Sequence, residues 1–248
     1  MCESGKCPNI GECWAAGAAT FMILGNSCTR NCRFCAVDHT KPFTPDSTEP
    51  ESLALTVEHF KLKHCVITSV TRDDLKDEGA QHWADCIEAV RRRNPAVTVE
   101  VLVPDFHAKK DLIQIVADAK PDIFSHNIET VRRLTRQIRS GAQYDRSLDV
   151  LRIAFSMGLR VKSGIMTGLG ETMEEIFETI KDIRGTGASI LTVGQYLQPR
   201  NENTKVEKYY TPAEFAEIRK VALDIGFSHA ECGPLVRSSY HSGEALLI

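Results

Sequence analysis

The chain has 248 residues, a formal net charge of -3 and nine cysteines, six of which lie within the first 35 residues. Its content of 42% apolar and 25% charged residues is ordinary for a globular protein and too apolar for a disordered one. The near-neutral charge gives no case for nucleic acid or an anionic membrane as a partner, and the longest apolar stretch, residues 14–25, is too short to span a bilayer. The odd, modest number of cysteines favours a metal or cluster site over a disulfide framework.

Six short runs of apolar and β-branched residues alternate with amphipathic segments along most of the chain. Such runs predict strands buried on both faces of a parallel sheet, with helices between them. This order favours an α/β fold of the partial (β/α)6 TIM-like barrel type over a flat doubly wound sheet, although spacing separates the two poorly. The predicted strands are residues 19–25, 65–70, 98–103, 122–127, 160–166 and 190–197. The predicted helices are residues 52–63, 81–93, 109–119, 147–157, 172–184 and 212–225, the last with Thr211 as its N-cap.

The segments that follow the predicted strands should carry the chemistry. In both candidate folds the carboxyl ends of the parallel strands meet at one edge of the sheet, where active sites form. The segments expected at that edge are residues 28–35, 71–74, 127–129, 167–171 and 198–200.

Cys28, Cys32 and Cys35 follow the first predicted strand with the spacing Cx3Cx2C. Three thiolates within eight residues suit an iron–sulfur cluster, but an ordinary cubane cluster takes four ligands. The missing ligand would leave one iron open to a small chelating molecule, as a catalytic zinc keeps one position open. The alternatives are a structural zinc with a distant fourth ligand such as His39, or cysteines without a joint role in a packed loop.

A second set, Cys2, Cys7 and Cys13, precedes the first with the spacing Cx4Cx5C. Its three soft ligands are close enough to share another cluster in a loop shaped by glycines and Pro8. A redox-active cysteine tail is the alternative interpretation. The remaining cysteines are expected to be buried as small apolar side chains; they are residues 65, 86 and 232.

The Cx3Cx2C motif, with Phe34 before its last cysteine, resembles the signature of the radical S-adenosylmethionine superfamily. In that superfamily the three cysteines hold a 4Fe–4S cluster whose open iron binds S-adenosylmethionine, and reductive cleavage gives a 5′-deoxyadenosyl radical. The Cx4Cx5C set narrows the resemblance to the lipoyl synthase family. Four further stretches are similar to that family, residues 66–75, 126–130, 162–172 and 232–241.

The resemblance implies an auxiliary 4Fe–4S cluster on Cys2, Cys7 and Cys13, with Ser239 of a terminal Arg-Ser-Ser-Tyr segment as the fourth ligand. Without the resemblance, Ser239 would be interpreted as part of a turn near the C-terminus. A hard serine oxygen matches an iron–sulfur site poorly, so such a cluster would be held loosely at one corner. The implied organisation is an N-terminal cluster segment at 1–17, a barrel at 18–227 and a serine-bearing C-terminal segment at 228–248.

The reaction implied by the resemblance is the insertion of two sulfur atoms, at C6 and C8, into an octanoyl chain on a lysine of a lipoyl carrier domain. The auxiliary cluster would be consumed as the sulfur source. The implied partners are carrier domains of 2-oxoacid dehydrogenases and of the glycine cleavage system, an electron donor such as ferredoxin or flavodoxin, and an iron–sulfur carrier. Reduced cysteines suit the cytoplasm, or an organelle matrix or stroma after processing.

The resemblance also assigns candidate contacts with S-adenosylmethionine. Thr71 follows the second strand, where the methionine end binds, although the Gly-Gly-Glu common there in the superfamily is absent. Asn127 and Glu129 could hydrogen-bond the ribose hydroxyls, and Met166 would lie on the adenine. The remaining candidates are Phe34, Arg139, Lys162 and Leu197.

Two other functions are compatible with parts of the sequence. A non-catalytic two-cluster electron carrier could use both cysteine sets, but it would need neither six βα units nor an open iron. Another sulfur-inserting radical enzyme, of the biotin synthase kind, would lack the Cx4Cx5C set and the terminal Arg-Ser-Ser-Tyr.

Overall fold

The computed structural model describes residues 7–246, which form a seven-stranded, wholly parallel sheet. The strands are β1 (Ala18–Ile23), β2 (His64–Ser69), β3 (Thr98–Leu102), β4 (Ile123–Ser125), β5 (Val161–Thr167), β6 (Ile190–Gln195) and β7 (His229–Gly233). They lie in chain order, each hydrogen-bonded to the next. Because β1 and β7 do not pair with each other in this described part of the chain, the barrel is open between them.

Helices follow the strands in the pattern of repeated βα units. The α-helices within residues 7–246 are α1 (Ile10–Ala15), α2 (Glu49–His59), α3 (Ala80–Arg93), α4 (Lys110–Asp118), α5 (Arg132–Ile138), α6 (Tyr144–Ser156), α7 (Met173–Arg184) and α8 (Pro212–Asp224). Short 3-10 helices lie at Phe106–Ala108 and Glu244–Leu246. Of the helices in this range, none has the length and apolar character needed to cross a bilayer.

The predicted parallel βα order is confirmed, and each predicted strand has a counterpart whose ends differ by at most two residues. The N-cap of α8 is also confirmed, because the Thr211 hydroxyl accepts from the Glu214 N–H while the Glu214 carboxylate binds the Thr211 N–H. The sequence pattern does not predict β7, α1 or α5. β7 is mostly half-exposed and lacks an apolar run, while α1 and α5 are too short to show a helical period.

The apolar core lies between the sheet and its helices, and it includes two of the three cysteines predicted to be buried. Cys65 of β2 and Cys86 of α3 have no exposed surface, and Cys232 of β7 is half-buried against the same core. Burial raises the pKa of Cys65 to about 12, so this thiol stays protonated near neutral pH. These side chains therefore behave as small apolar groups.

The concave face of the sheet is polar near the amino ends of its strands. The Nζ of Lys162 donates to both carboxylate oxygens of Glu100, at 2.9 and 3.0 Å, and both side chains are 1% exposed. Because β4 lies between the strands that carry them, this contact spans the inside of the barrel. Lys162 is the second residue of β5 and pairs in register with Ile190, the first residue of β6. The structure thus places Lys162 away from the carboxyl edge, where the sequence analysis expects a cofactor contact.

Candidate active site

Backbone hydrogen bonds fix the Cx3Cx2C loop, which lies between β1 and α2, to two other parts of the fold. The Thr29 N–H donates to the Thr71 carbonyl, after β2, at 3.0 Å. The Arg33 N–H donates to the carbonyl of Ile138, the last residue of α5, at 2.8 Å. The loop conformation is therefore determined by the protein's own backbone contacts.

Backbone N–H groups also point at the sulfur atoms of this loop. The Sγ of Cys28 accepts from the N–H groups of Arg30 and Thr71, at 3.4 and 3.3 Å. The Sγ of Cys35 accepts from the Val37 N–H at 3.4 Å. Hydrogen bonds of this kind stabilise negative charge on sulfur and tune the potential of an iron–sulfur cluster.

The cysteine thiols have properties that suit a metal cluster. Burial raises the pKa of Cys32 to about 11 and also raises the pKa of Cys35. Thiols with these pKa values stay protonated near neutral pH unless a metal replaces the proton. Cys28, Cys32 and Cys35 form no disulfide. The site therefore fits cluster ligation better than thiol redox chemistry.

The alternative of a structural zinc site at this loop lacks the compact geometry that zinc requires. Ligand atoms around one tetrahedral zinc lie within about 2.0–2.3 Å of the metal, so they must also lie close to one another. Within residues 7–246, the one group of three such atoms within 4.8 Å of one another belongs to Asp73, Glu78 and His107. Glu78 in that group is already paired with the Lys109 ammonium at 2.8 Å. His39 and the three cysteines form no such group.

A buried arginine inside the cysteine motif anchors the loop to the ends of two strands. Arg30 donates to Asp73, after β2, at 2.8 Å and to Asp105, after β3, at 2.8 Å. Burial alone would raise the pKa of Asp105, but the hydrogen bond and charge of Arg30 hold this pKa far below its usual range. Arg146 adds a second partner for Asp105 at 2.9 Å. The sequence motifs above do not include this network, although an arginine between cysteines, and aspartates after two successive strands, could have indicated it.

Asn203, in the segment after β6, is a further residue that the sequence analysis missed. Its Nδ2 donates to the carbonyls of Arg33 and Cys35, at 3.1 and 2.9 Å. The N–H of Thr204 also donates to the Arg33 carbonyl, at 3.0 Å. A single asparagine in a long loop carries no periodic or spacing signal, so sequence alone does not identify this contact.

Among the cavities beside the cysteine loop, two share part of their walls. One has a volume of about 230 Å³ and is lined by all three cysteines of the motif. The other has a volume of about 320 Å³ and extends toward β6 and the C-terminal segment. The two have five lining residues in common, which are Phe34, Cys35, Leu102, Asn127 and Glu129. Their combined size is in the range of small-molecule sites.

The polar groups of these cavities leave hydrogen-bonding capacity for a ligand. Asn127 is 9% exposed, and its buried Oδ1 has no hydrogen-bond partner among the described residues. A Cβ on Gly164 would lie only 3.0 Å from that oxygen and 2.5 Å from the Thr192 hydroxyl, so glycine leaves the space open. A buried acceptor without a partner costs about 1–3 kcal/mol. A ligand hydroxyl or amino group that donates to Asn127 would remove this cost.

Glu129 and Arg139 form the charged part of the same wall. Burial raises the pKa of Glu129, and the nearby Arg139 charge opposes this shift. Glu129 has a left-handed backbone with φ of 66°, and its carbonyl accepts from the Met166 N–H at 2.8 Å. Arg139 is held from behind by the Ile128 carbonyl and the Ser147 hydroxyl, at 3.0 and 2.9 Å. Both charged groups are thus oriented by the protein.

Most of the predicted cofactor contacts come together at these cavities. Phe34, Thr71, Asn127, Glu129 and Arg139 line the first cavity, with Cys28, Cys32 and Cys35. Met166 and Leu197 line the second cavity. Lys162 lines neither, since it lies deeper in the barrel beside Glu100.

The N-terminal and C-terminal segments of the described chain lie against each other. The Asn9 Nδ2 donates to the Leu235 carbonyl at 2.7 Å. The Glu12 carboxylate is contacted by the Tyr240 hydroxyl at 3.1 Å and by the His241 Nε2 at 3.0 Å. These contacts join parts of the chain that are more than 200 residues apart in sequence.

This meeting brings the predicted Ser239 segment to the predicted second cysteine set. Asn9 and Glu12, whose side chains bind the C-terminal segment, lie between Cys7 and Cys13 in the sequence. The electrostatic influence of Cys7 on Arg237 and of Cys13 on Tyr240 is consistent with this proximity. Ser239 itself is half-buried, between Arg237 and Tyr240 in sequence. Arg237 and Cys35 both line the second cavity, so the two predicted cluster sites border the same cavity. The remaining predicted ligand, Cys2, lies outside the described residues.

Comparison with known proteins assigns the family. The model of the Radical SAM superfamily matches residues 22–183. A lipoyl synthase of Halalkalibacterium halodurans is 56% identical over 247 residues, covering 98% of this chain and 82% of that protein. A lipoyl synthase of Treponema denticola is 52% identical over 247 residues, covering 100% of this chain and 85% of that protein.

Solved structures share the fold at much lower identity. Methylornithine synthase (PylB) has a TM-score of 0.67 at 14% identity, covering 86% of this chain and 70% of its own. The hydrogenase maturase HydG has a TM-score of 0.66 at 16% identity, covering 92% of this chain and 58% of its own. The open parallel barrel is thus the fold of these proteins, and the full-length similarity narrows the assignment: the chain belongs to the lipoyl synthase family of the radical SAM superfamily.

Proposed function

We propose that this enzyme inserts two sulfur atoms, at C6 and C8, into an octanoyl chain on a lysine of a lipoyl carrier domain. Membership of the lipoyl synthase family makes the chain a sulfur-transferring radical SAM enzyme, which disfavours both the electron carrier and the biotin synthase alternatives. The observation that carries the finer proposal is the meeting of the Cys7–Cys13 and Ser239 segments beside a cavity that continues to the Cx3Cx2C loop.

In this proposal Cys28, Cys32 and Cys35 hold a 4Fe–4S cluster. Together with S-adenosylmethionine, that cluster supplies a 5′-deoxyadenosyl radical, which abstracts hydrogen atoms that no side chain could remove. The chain supplies the donors to sulfur, which are the backbone N–H groups at Cys28 and Cys35. It also supplies the unpaired acceptor of Asn127, which suits a ribose hydroxyl.

The other proposed cofactor contacts follow from the cavity walls. Glu129 would accept a second ribose hydroxyl, and Arg139 would favour the charged form of the Glu129 carboxyl group, whose pKa burial raises. Thr71 and Phe34 would border the methionine end, beside the cysteines. Met166 and Leu197, on the second cavity, would contact the adenine. Lys162 has no part in this proposal, because its ammonium group is already bound by Glu100.

A second 4Fe–4S cluster, the auxiliary cluster, is proposed on Cys2, Cys7, Cys13 and Ser239. The serine oxygen is a hard ligand for a soft site, so this corner would be the easiest to release as sulfur is given up. Arg237 is desolvated, which lowers its pKa, while the charge of Cys7 opposes that shift. Its positive charge would therefore lie beside the proposed cluster.

The proposed partners follow from the reaction. Octanoylated carrier domains of 2-oxoacid dehydrogenases and of the glycine cleavage system would be the substrates. A ferredoxin or flavodoxin would supply electrons to the first cluster, and an iron–sulfur carrier would rebuild the auxiliary cluster. The cytoplasm, or an organelle matrix or stroma, would keep both cysteine sets reduced.

Cys7→Ala tests the proposed source of sulfur. The variant should still cleave S-adenosylmethionine, because Cys7 is outside the Cx3Cx2C loop, but it should insert no sulfur into an octanoylated carrier. Product is measured by mass spectrometry after a single anaerobic turnover. Cys232→Ala is the control, since it removes a half-buried thiol that lies on β7 rather than in either set. Insertion of both sulfurs by Cys7→Ala would contradict the proposed sacrificial cluster.

Asn203→Ala tests how the first cluster is held. It removes both side-chain hydrogen bonds to the carbonyls of Arg33 and Cys35. At about 1 kcal/mol for each bond, or about 2 kcal/mol together, we expect iron of this cluster to pass to a chelator roughly thirtyfold faster than in the wild type. The rate is followed by absorbance of the iron–chelator complex. Asn201→Ala, at an exposed position of the same loop, should leave the rate unchanged, and equal rates for both variants would contradict the prediction.

A further inference from the structure

The segment after β7, residues 234–246, runs back from the carboxyl edge of the sheet to the amino ends of the strands. Near its start, the Val236 carbonyl lies against Gly194 of β6, so closely that a Cβ on this glycine would overlap with it. Near its end, Gly243 packs against the side chain of His64, the first residue of β2. A Cβ added to Gly243 would lie 3.4 Å from the His64 Cβ. Ser239 lies between these two points of support.

The end of the segment closes the barrel from below. Ala245 is 3% exposed and packs against Ile123 and Ile190, the first residues of β4 and β6. The Nη1 of Arg160, just before β5, donates to the Ala245 carbonyl at 3.1 Å. We call the surface formed by His64, Ile123 and Ile190 the barrel floor.

The barrel floor is made rigid by the buried polar groups above it. His64 is 3% exposed, and its Nδ1 lies 2.7 Å from the Thr98 hydroxyl. Its Nε2 lies 3.8 Å from a Glu100 oxygen, and Glu100 is bound on its other side by Lys162. No described residue of this network lines either cavity, so the proposed chemistry leaves it without a role.

We propose that the barrel floor positions Ser239 for the auxiliary cluster by holding the far end of the segment that carries it. This inference rests on the proposed function. A serine is a weak ligand, and a chain end held at one point only frays. Support on both sides of Ser239 raises the effective concentration of its hydroxyl at the cluster without any new contact there. Ala245 and Arg160 are then positioning residues that act through the segment.

Ala245→Glu is the first test, because it forces a charge between Ile123 and Ile190 while leaving every proposed ligand in place. Ala213→Glu is the matched control, since Ala213 is exposed on α8. Both are studied as full chains after anaerobic assembly of the clusters. The first measurement is trypsin cleavage after Arg237, which should become at least about tenfold faster in Ala245→Glu than in the wild type and the control, as the segment opens locally.

The second measurement is the iron content and the Mössbauer spectrum of the same samples. Ala245→Glu should retain roughly half of the wild-type iron, because one of two four-iron clusters is lost, and S-adenosylmethionine should still be cleaved. Arg160→Ala is a milder variant that removes only one hydrogen bond to the segment and should show the same two changes to a smaller degree. Its control is Arg152→Ala, on the exposed face of α6.

Unchanged cleavage after Arg237 in Ala245→Glu would overturn the inference. Faster cleavage with full iron content would overturn it too, because the auxiliary cluster would then be retained although the segment is no longer held at the barrel floor. Either result would leave the two-cluster proposal intact if the wild type holds both clusters. A wild-type protein with only one cluster would instead overturn the proposed function and this inference together.

Discussion

Cys32→Ala is expected to abolish formation of 5′-deoxyadenosine and to leave roughly half of the iron. Two thiolates cannot hold a cubane cluster that already has one open corner, so loss of Cys32 should release the whole first cluster. Mutation of a residue that only hydrogen-bonds to a metal ligand typically lowers metal affinity or activity by about 10–100-fold. Loss of a ligand itself should therefore reduce cleavage of S-adenosylmethionine by more than about 100-fold. The remaining iron would belong to the auxiliary cluster, whose proposed ligands are elsewhere in the chain.

The measurement is chromatography of 5′-deoxyadenosine after anaerobic reduction, with iron determined on the same sample. Cys86→Ala is the control, because Cys86 is buried in α3 and lies in neither cysteine set. That variant should keep both its iron and its cleavage activity. Retained cleavage in Cys32→Ala would refute the proposed ligand set.

The strands that could be predicted are those whose own residues form an apolar run. β2 is buried over its first five residues and β6 over its whole length, and each contains an unbroken run of apolar and small residues, at 65–69 and 190–194. β7 joins the sheet through its pairing with β6, although its own sequence, His-Ala-Glu-Cys-Gly, has no apolar run. Tertiary pairing, which no local pattern records, therefore accounts for the seventh strand.

The same distinction between local and distant contacts applies to the site. The Cx3Cx2C ligands can be identified from sequence because their function depends on spacing within one loop. The contacts of Arg30 with Asp105 and of Asn203 with Cys35 join different loops, so they become visible only in the fold. The approach of the Ser239 segment to Cys7 is of the same kind, and only the family resemblance indicates it beforehand.

The position of Lys162 along its strand could not be predicted from the motif that contains it. It belongs to a stretch that resembles the lipoyl synthase family and ends at the carboxyl edge of the sheet. Yet it lies five residues before the end of β5, which at 3.3 Å per residue is about 16 Å from that edge. Its charge is used inside the barrel, where Glu100 binds it.

Lys162→Met is therefore expected to destabilise the fold strongly while leaving affinity for S-adenosylmethionine unchanged. The substitution leaves Glu100, which is 1% exposed, as a buried carboxylate without its main partner. Breaking a buried ion pair in this way costs about 3–5 kcal/mol, a large part of the stability of a typical domain. The loss is measured by urea unfolding at pH 7, and Lys220→Met, which breaks an exposed pair on α8, should have no measurable effect.

The pH dependence of this loss identifies its cause. In the wild type, burial raises the pKa of Glu100, but the charges and hydrogen bonds of Lys162 and His64 together more than offset this effect, so the net pKa is lowered. Without Lys162 burial dominates, and the folded state of the variant should bind a proton that the unfolded state does not. The variant should therefore lose less stability near pH 5 than at pH 7, because Glu100 is then neutral in the fold.

The double variant Lys162→Met/Glu100→Gln should recover most of the stability that Lys162→Met loses at pH 7, because no buried charge remains. Affinity for S-adenosylmethionine, measured by titration of the folded protein, should be the same in the wild type and in both variants. A single variant that keeps its stability but binds S-adenosylmethionine more weakly would instead place the Lys162 charge at the cofactor. That outcome would require the lysine to leave Glu100 and extend to the cavity, which the pairing at 2.9 and 3.0 Å opposes.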